Sequence, residues 1–273
     1  MGADLFLELD DLLLHSERPS LRLEALRAGG ALHEVPELLA LPGVQQNPLY
    51  HPEGDVWIHT LMVVDEAVRE RPADAEGARL LMWAALCHDL GKPLTTNLRD
   101  GRWRSPGHDL AGVKPTRALL SRLQAPEALI DPVCRLVHDH LAPHFFAEQR
   151  TSTAGIRRLL RRLGPLPLTL LVRLGRADSF GRTTEQARRR EYPSGEWLLE
   201  RVAGLPPEVV MTEPEVAPLL RGRDLLPLGF APGPRLGRVL QRLYEAQQEG
   251  AFSDVAGGLA YLPALLLAEP ELA

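Results

Sequence analysis

Apolar residues recur every three to four positions along most of the chain, and no segment shows the strict alternation typical of a strand. The predicted fold class is therefore all-α. Residues 5–14 form a short amphipathic segment, and residues 36–41 are expected to form one helical turn. Apolar spacing and capping residues predict helices over residues 20–32, 55–69, 76–90, 109–123, 127–141, 152–163, 166–178, 185–202, 236–250 and 256–267. Ser20 and Asp55 are the expected N-caps of two of these helices. The polar segment 95–107 is expected to form a loop or a short hairpin.

Prolines divide the chain near residue 203. The segment Gly204–Pro218 contains four of them, Pro206, Pro207, Pro214 and Pro218, and proline interrupts helices. We therefore predict a helical lead-in over residues 1–50, a main domain over 51–202 and a smaller helical C-terminal lobe over 203–273.

Composition and charge exclude several classes of protein. Of 273 residues, 45% are hydrophobic and 25% are charged, as in an ordinary globular protein. The formal net charge of −5 argues against nucleic-acid binding by bulk charge, so any polyanion contact needs a local basic patch. Cys87 and Cys134 lie in apolar helical patterns, as core residues do in a reducing compartment. The acidic N-terminus and the absence of long apolar runs predict a cytoplasmic protein without membrane contact.

The segment Leu80–Pro93, LLMWAALCHDLGKP, predicts a core helix that ends at His88 and Asp89. Gly91 is expected to stop this helix in a left-handed conformation. The helix dipole and burial both disfavour a carboxylate at that end, and a bound cation would reverse both effects. A simple ion pair between Asp89 and Lys92 is the alternative.

Helical spacing separates inward-facing histidines and aspartates from exposed ones. His59 and Asp178 lie on apolar faces, and Asp178 has no basic neighbour at helical spacing within its predicted helix. His140 lies on the apolar stripe of its helix, whereas His138 lies at the edge and is expected to support the site from outside or to face solvent. His108 follows a glycine at a helix start, where a capping or exposed side chain is the usual outcome.

Together these positions predict a metal centre. Five predicted helices contribute six candidate ligands: His59, His88, Asp89, His108, His140 and Asp178. Unpaired in a core these groups would be costly, whereas a metal satisfies each of them. Mixed imidazole and carboxylate ligands favour Mn, Fe, Co, Ni or Zn over Mg or Ca. Six ligands exceed the need of one ion that keeps a water, so two divalent ions about 3.5–4 Å apart, bridged by a carboxylate, are expected.

The segments that carry these residues resemble HD-domain phosphohydrolases, most closely the HD region of bacterial CCA-adding tRNA nucleotidyltransferases. They are HPEGDVWIHTLMV (51–63), CHDLGKP (87–93), GH (107–108), LVHDHLAP (136–143) and RADSFGR (176–182). Residues 21–32 and 219–254 resemble the segments that flank this domain in the family. No Gly-Ser motif followed by an Asp-x-Asp pair precedes residue 20, so nucleotide addition by this chain alone is not expected.

The resemblance implies a role for each matching residue. The set that binds the first metal in HD domains is matched by His59, His88, Asp89 and Asp178. The extra histidines of two-metal members are matched by His108 and His140, with Asp89 as the bridge. Lys92 matches a lysine that neutralises phosphoryl oxygens or protonates the leaving group, which makes Asp89 and Lys92 the expected catalytic residues. His51, Lys92 and Arg182 are the expected substrate contacts.

The resemblance also implies hydrolysis of 2′,3′-cyclic phosphates and 2′-phosphates. We therefore expect a metal-dependent phosphodiesterase or phosphatase that acts on nucleotides or RNA ends, with tRNA as a candidate partner. One alternative is an RNA-binding partner of a separate nucleotidyltransferase with an inactive metal site, against which the complete ligand set argues. The other is a hydrolase of free nucleotides, such as a dNTP or a signalling nucleotide, against which the close match over 51–63 argues.

Overall fold

The computed structural model describes residues 2–205, 217–248 and 251–269. Helices dominate these residues, which confirms the all-α class. The elements are α1 (Gly2–His15), α2 (Pro19–Ala28), α3 (Pro36–Leu39), α4 (Val56–Glu70), α5 (Ala75–Cys87), α6 (Lys92–Thr95), β1 (Asn97–Arg99), β2 (Arg102–Arg104), α7 (His108–Arg122), α8 (Glu127–Asp139), α9 (Ala142–Glu148), α10 (Thr153–Leu163), α11 (Leu168–Phe180), α12 (Glu185–Arg188), α13 (Pro193–Ala203), α14 (Gly222–Leu225), α15 (Pro234–Gln248) and α16 (Val255–Ala268).

The strands β1 and β2 lie in the polar segment 95–107, where no alternating pattern is visible in the sequence. They pair antiparallel, with Leu98 opposite Trp103, and they realise the hairpin alternative for the polar segment 95–107. Each strand has only three residues, so alternation is too short to be visible in the sequence. Asp100 and Gly101 form the turn with φ values of 53° and 70°, and positive φ at both central residues is typical of a type I′ turn.

Helix α5 is the buried centre around which α1, α4, α8 and α11 pack. Every residue from Leu80 to Cys87 is buried. The indole N–H of Trp83 donates to Asp10 of α1 over 2.9 Å, so its one polar group is satisfied inside the core. The side chain of Asp74 caps the helix by accepting from the backbone N–H of Gly77. Because α5 is fixed along its whole length, the residues that follow Cys87 are held in the interior.

Gly91 does not adopt the predicted left-handed conformation. Its φ of −82° and ψ of −20° are right-handed, and it precedes the short helix α6. A glycine is needed there for a different reason, because a Cβ atom would overlap the backbone carbonyl of His108 and the backbone nitrogen of Gly112. The close approach of these two backbones brings the segment after α5 against the start of α7.

One of the two predicted N-caps is correct. Asp55 caps α4 by accepting from the backbone N–H of Ile58 over 2.9 Å. The prediction for Ser20 is wrong, because α2 begins one residue earlier at Pro19 and has Arg18 at its N-cap position. The Ser20 hydroxyl instead donates to Asp65 of α4 over 2.6 Å, so a tertiary contact uses the group that the local pattern assigned to capping.

The chain forms two compact units, which comprise Met1–Arg150 with Arg162–Gly204, and Thr151–Arg161 with Leu205–Ala273. The second unit has its own apolar core, to which Leu225, Val239 and Leu243 contribute. Of the prolines that motivated a boundary near residue 203, Pro206, Pro207 and Pro214 lie outside the described residues. The assignment of 1–50, 51–202 and 203–273 as separate domains stays a prediction.

Candidate metal centre

The six predicted metal ligands lie together in the first unit. His59 projects from α4, His88 and Asp89 follow the end of α5, and His140 follows the end of α8. His108 is the first residue of α7, and Asp178 lies near the end of α11. All are buried except His108, whose side chain is 12% exposed. Helix ends, where the backbone changes direction, thus deliver most of these side chains to one place.

Asp89 belongs to both of the groups that these residues form. His59, His88 and Asp89 offer ligand atoms that all lie within 4.8 Å of one another, and Asp89, His108 and His140 do the same. Nε2 of His88 is 3.2 Å from one carboxylate oxygen of Asp89, and Nε2 of His108 is 3.3 Å from the other. The arrangement is that of two adjoining ligand sets with one shared carboxylate.

Three histidines of the site use the same hydrogen bond to orient the ring. Nδ1 of His88 donates to the carbonyl of Ala85 over 2.8 Å, and Nδ1 of His140 donates to that of Val137 over 2.7 Å. Nδ1 of His108 donates to the carbonyl of Ser105 over 2.8 Å. A carbonyl only accepts, so Nδ1 carries the proton and the neutral ring has a lone pair on Nε2. Those Nε2 atoms face the other rings and the Asp89 carboxylate.

Asp89 and His88 retain unused polar atoms. Among the described residues, the two carboxylate oxygens of Asp89 have no hydrogen-bond partner of good geometry. The same is true of Nε2 of His88. Lys92 contributes charge, since its Nζ lies 2.7 Å from an Asp89 oxygen. The ion pair considered for these two residues therefore exists, but it leaves the three imidazoles unexplained. Imidazole lone pairs directed at a buried carboxylate fit a divalent cation between them.

Burial and nearby charges together shift the pKa values of Asp89, His88 and His140. Burial opposes the charged form of His88, but the nearby Asp89 carboxylate outweighs it and raises the pKa of His88. Burial also opposes the charge on Asp89, yet His88 and Lys92 hold its pKa well below the usual value. Burial lowers the pKa of His140 to about 3, so that ring is neutral at pH 7. A proton on His88 therefore supplies part of the positive charge that this site requires.

Glu53 is a member of the site that the sequence did not identify. The pattern assigned the HPEGD loop to the start of α4, and Asp55 does have that role. The Glu53 side chain, only 1% exposed, instead lies 2.9 Å from Nδ1 of His59 and 2.9 Å from Nδ1 of His51. A carboxylate on Nδ1 directs Nε2 of a ligand histidine towards the metal position. The spacing His51-x-Glu53 within a loop carries no periodic signal that could have predicted this contact.

Asp178 has a basic neighbour after all. Its Oδ1 is 3.0 Å from Nε2 of His59, and its two oxygens accept from the Arg182 guanidinium over 2.9 and 3.0 Å. Arg182 lies beyond Gly181, after the helix has ended, and the chain still brings it back to the carboxylate. Burial disfavours the charge on Asp178, but Arg182 and His59 keep its pKa well below the usual value.

The two histidines of the HDH segment differ as helical spacing predicts. His140 is 2% exposed, and its ring centre is 5.5 Å from that of His88. The side chain of His138 is 35% exposed, and its Nδ1 lies 3.3 Å from Asp139. Asp139 is in turn held by the guanidinium of Arg162. His138 thus contacts the neighbouring ion pair and not the histidine cluster.

Lys92 has a second buried partner that the sequence analysis did not consider. Its ammonium group donates to the side-chain oxygen of Gln46 over 2.7 Å, and the Gln46 amide donates to the carbonyl of Gly54. The loop before α4 therefore positions Lys92 beside Asp89. His51 belongs to the same loop, and burial, together with Lys92 and Arg182, lowers its pKa to about 3.

Comparison with known proteins identifies the domain that carries this centre. A family model described as "HD domain" matches residues 56–179. The chain is 36% identical over 201 residues to the multifunctional CCA protein of Pasteurella multocida, covering 71% of this chain and 46% of that protein. It is 36% identical over 235 residues to that of Xanthomonas campestris pv. campestris, covering 84% and 51%. The multifunctional CCA protein of Methylococcus capsulatus is 35% identical over 232 residues, covering 82% and 49%.

The chain spans about half the length of the curated relatives it matches. Among the helices that the structure describes, none combines the length and the apolar character required to cross a bilayer.

Proposed function

We propose that this protein, which contains an HD domain homologous to the HD region of multifunctional CCA proteins, hydrolyses phosphoesters at nucleotide or RNA ends. The HD domain places it in a superfamily of metal-dependent phosphohydrolases. The finer reaction that we propose is hydrolysis of a 2′,3′-cyclic phosphate or of a terminal phosphate, including a 2′-phosphate.

One observation carries the proposal: three imidazoles, two of them buried and the third 12% exposed, keep Nδ1 on backbone carbonyls, so their Nε2 atoms meet at the carboxylate of Asp89. The residues proposed to hold one ion are His59, His88, Asp89 and Asp178, and those for the other are Asp89, His108 and His140. Nitrogen and oxygen ligands suit Mn, Co, Ni or Fe better than Mg. Divalent cations there supply Lewis acidity, which polarises phosphoryl oxygens and makes water more acidic.

Three residues are proposed to bind the phosphoryl group. Lys92 is buried beside Asp89, and Gln46 holds its ammonium group there. The same ammonium group can neutralise phosphoryl oxygens or donate a proton to the leaving oxygen. Arg182 forms an ion pair with Asp178, another of the proposed ligands. Its planar guanidinium can donate hydrogen bonds to two phosphate oxygens. His51 is neutral at pH 7 and can form a hydrogen bond with the phosphoryl group.

The test is an activity panel on protein stripped of metal. Mn, Co, Ni and Mg are added in turn, with 2′,3′-cyclic, 2′-, 3′- and 5′-phosphates as substrates. We expect turnover of a cyclic or terminal phosphate with a transition metal and little with Mg. Asp89→Asn is the matched control, because it keeps the shape of the side chain and removes its charge. The absence of bound metal in purified protein, together with no activity after any addition, would remove the proposal.

The same panel, extended with dNTPs, signalling nucleotides and an RNA-binding measurement, separates the two alternatives. A hydrolase of free nucleotides would cleave dNTPs or signalling nucleotides faster than phosphates at an RNA end. An RNA-binding partner of a separate nucleotidyltransferase would bind RNA and hydrolyse none of the substrates. The complete ligand set around Asp89 supports an active centre.

A further inference from the structure

The hairpin β1–β2 is inserted into the chain between two residues of the centre, Lys92 and His108. The hydroxyl groups of Thr96 and Ser105 lie 2.8 Å apart and close its base. The carbonyl of Ser105 is the group that orients the His108 ring. The base of the hairpin is therefore in contact with the site through Ser105 and His108.

The hairpin is short and conformationally restricted. Its three cross-strand pairs run from Asn97 opposite Arg104 to Arg99 opposite Arg102. Three residues of strand extend about 10 Å, at roughly 3.3 Å per residue. Asp-Gly at a two-residue turn with positive φ matches the twist of the strands and holds this register. The hairpin is therefore a short, well-defined element that follows directly from residues of the centre.

One face of the hairpin carries three guanidinium groups. Side chains alternate between the two faces of a strand, so Arg99, Arg102 and Arg104 share a face with Asn97. Arg99 lies directly opposite Arg102, and like charges in that position destabilise a strand pair. Neither arginine has a carboxylate within ion-pair distance among the described residues, and Arg104 has only Asp100 at 3.9 Å. Three positive charges therefore lie close together on the hairpin, although the net charge of the protein is −5. These charges do not stabilise the fold.

The opposite face presents Leu98 and Trp103 as a cross-strand pair. Leu98 is 59% exposed and Trp103 is partly exposed, so the indole has a surface available for contact. Guanidinium groups beside an accessible aromatic ring suit single-stranded nucleic acid, which offers phosphates and unstacked bases. An acidic protein surface would match the charge but would not require the indole.

We infer that the hairpin is an arm that binds the backbone phosphates of single-stranded RNA whose terminal phosphate occupies the metal centre. This inference rests on the proposed function, because it names the substrate class of the same centre. In this inference the ligand cluster acts on the terminal phosphate of the RNA. Arg99 and Arg102 contact phosphates further along the RNA strand. A mononucleotide has no further backbone phosphates and so offers the arm nothing to bind.

Binding tests the arm independently of catalysis. The chelated full-length chain is titrated into a fluorescently labelled single-stranded RNA, and anisotropy is recorded over a salt series. The variant carries Arg99→Gln and Arg102→Gln, and the control carries Arg22→Gln and Arg69→Gln. The control removes the same charge from α2 and α4 at side chains that are 55% and 65% exposed.

For the hairpin variant we expect the Kd for RNA to rise about fivefold or more at about 0.1 M salt, since two phosphate contacts are lost. The slope of log K against log salt concentration should fall by about 1.4, at roughly 0.7 per phosphate on a single strand. The control should match the wild-type protein. With metal restored, kcat/KM should fall for the RNA substrate and stay unchanged for a mononucleotide with the same terminal phosphate.

A second variant, Arg99→Lys with Arg102→Lys, keeps the charge and should retain most of the salt dependence. The melting temperature of the Gln variant should not fall, because a like-charged pair has been removed. An equal effect of the hairpin and control variants, or loss of binding in the Lys variant, would overturn the inference, as would wild-type protein that does not bind RNA. If no substrate is turned over but the hairpin variant alone loses RNA affinity, the proposed catalysis fails and the arm remains.

Discussion

His88 and His140 illustrate how single residues prepare this centre. Each follows the last residue of a helix, and each ring donates to the carbonyl three residues earlier. The final carbonyls of a helix lack partners within the helix. One hydrogen bond therefore satisfies such a carbonyl and directs the opposite nitrogen of the ring into the site. Glu53 performs the same orientation for His59, whose Nδ1 lies 2.9 Å from the Glu53 carboxylate.

The role of Asp89 is testable by Asp89→Asn. If Asp89 is shared by two ions, the variant loses metal and activity together. The metal-free variant should also be less stable than metal-free wild-type protein, because the substitution removes the carboxylate that His88 and Lys92 hold in its charged form. Metal analysis and thermal melts of loaded and chelated protein measure both effects. If Asp89 were only a structural partner of Lys92, the variant would keep its metal content, so metal content is the measurement that separates the two roles.

His140 and His138 form a matched pair for the ligand assignment. His140→Ala should reduce activity by about 100-fold or more, since a group in contact with the metal contributes more than its outer support. His138→Ala should reduce activity by about tenfold or less, because its ring contacts Asp139 instead. Steady-state kinetics with metal content determined for each protein makes the comparison. The reverse order of the two effects would show that the assignment by helical spacing is wrong.

At the scale of elements, the close approach of Gly91 to α7 positions the second ligand group. Gly91→Ala should destabilise the protein by about 1–3 kcal/mol, because the added methyl overlaps the backbone of His108 and Gly112. It should also displace His108 and weaken metal binding. Gly237→Ala is the control, since Gly237 is helical with open space around it and should gain about 0.5–1 kcal/mol. Denaturant unfolding and metal titration report both quantities, and an unchanged metal affinity for Gly91→Ala would contradict the proposed coupling.

The ion pair between Asp139 and Arg162 connects α8 to the end of α10. Burial opposes the charge on Asp139, but His138 and Arg162 outweigh it and hold the pKa of that carboxyl below its usual value. A depressed pKa adds stability that is fully present above the unfolded value of about 3.9 and is lost as pH falls through the folded value.

Asp139→Asn should therefore lower the melting temperature at pH 7, and the difference from wild-type protein should shrink as pH falls below about 4. Asp131→Asn on the same helix removes a carboxylate that is 55% exposed and pairs with Arg117, and it should change little at either pH. Melts of the three proteins over a pH series give the comparison. A difference that persists at low pH would mean that Asp139 acts through packing and not through its charge.

At the scale of the whole molecule, metal should stabilise the fold by binding the native state, by about 2.7 kcal/mol at a free concentration of 100 times Kd. The gain should increase with pH. In the metal-free protein the raised pKa of His88 contributes stability that is fully present below the unfolded value of about 6.5 and is lost as pH rises through the folded value. The metal replaces this proton, so the loaded protein does not lose that contribution.

Differential melts of loaded and chelated protein between about pH 6 and pH 8 test this linkage, and calorimetry in buffers of different ionisation enthalpy counts the protons released on metal binding. We expect a widening gap and net proton release. Metal stabilisation that is constant over the range would exclude His88 as the group that exchanges a proton for the metal.

Periodicity was sufficient for the helical class and for which ligand candidates face inward. His59, His140 and Asp178 lie on apolar stripes, and burial follows from that placement alone. Periodicity was not sufficient to predict the hydrogen bonds that side chains form at helix ends. Ser20 was predicted to cap α2 and instead bonds to Asp65, because a neighbouring helix offers a carboxylate that a local pattern cannot include.

The amino-acid sequence by itself determined the helices, the ligand types and their order along the chain, since these depend on side-chain chemistry and on spacing within one helix. Only the tertiary structure decided which groups meet. Glu53 on His59 and Gln46 on Lys92 join residues from loops to residues on helices. Their contacts depend on how the helices pack and where the connecting loops return. Helical periodicity contains no information about either, because it describes one helix at a time.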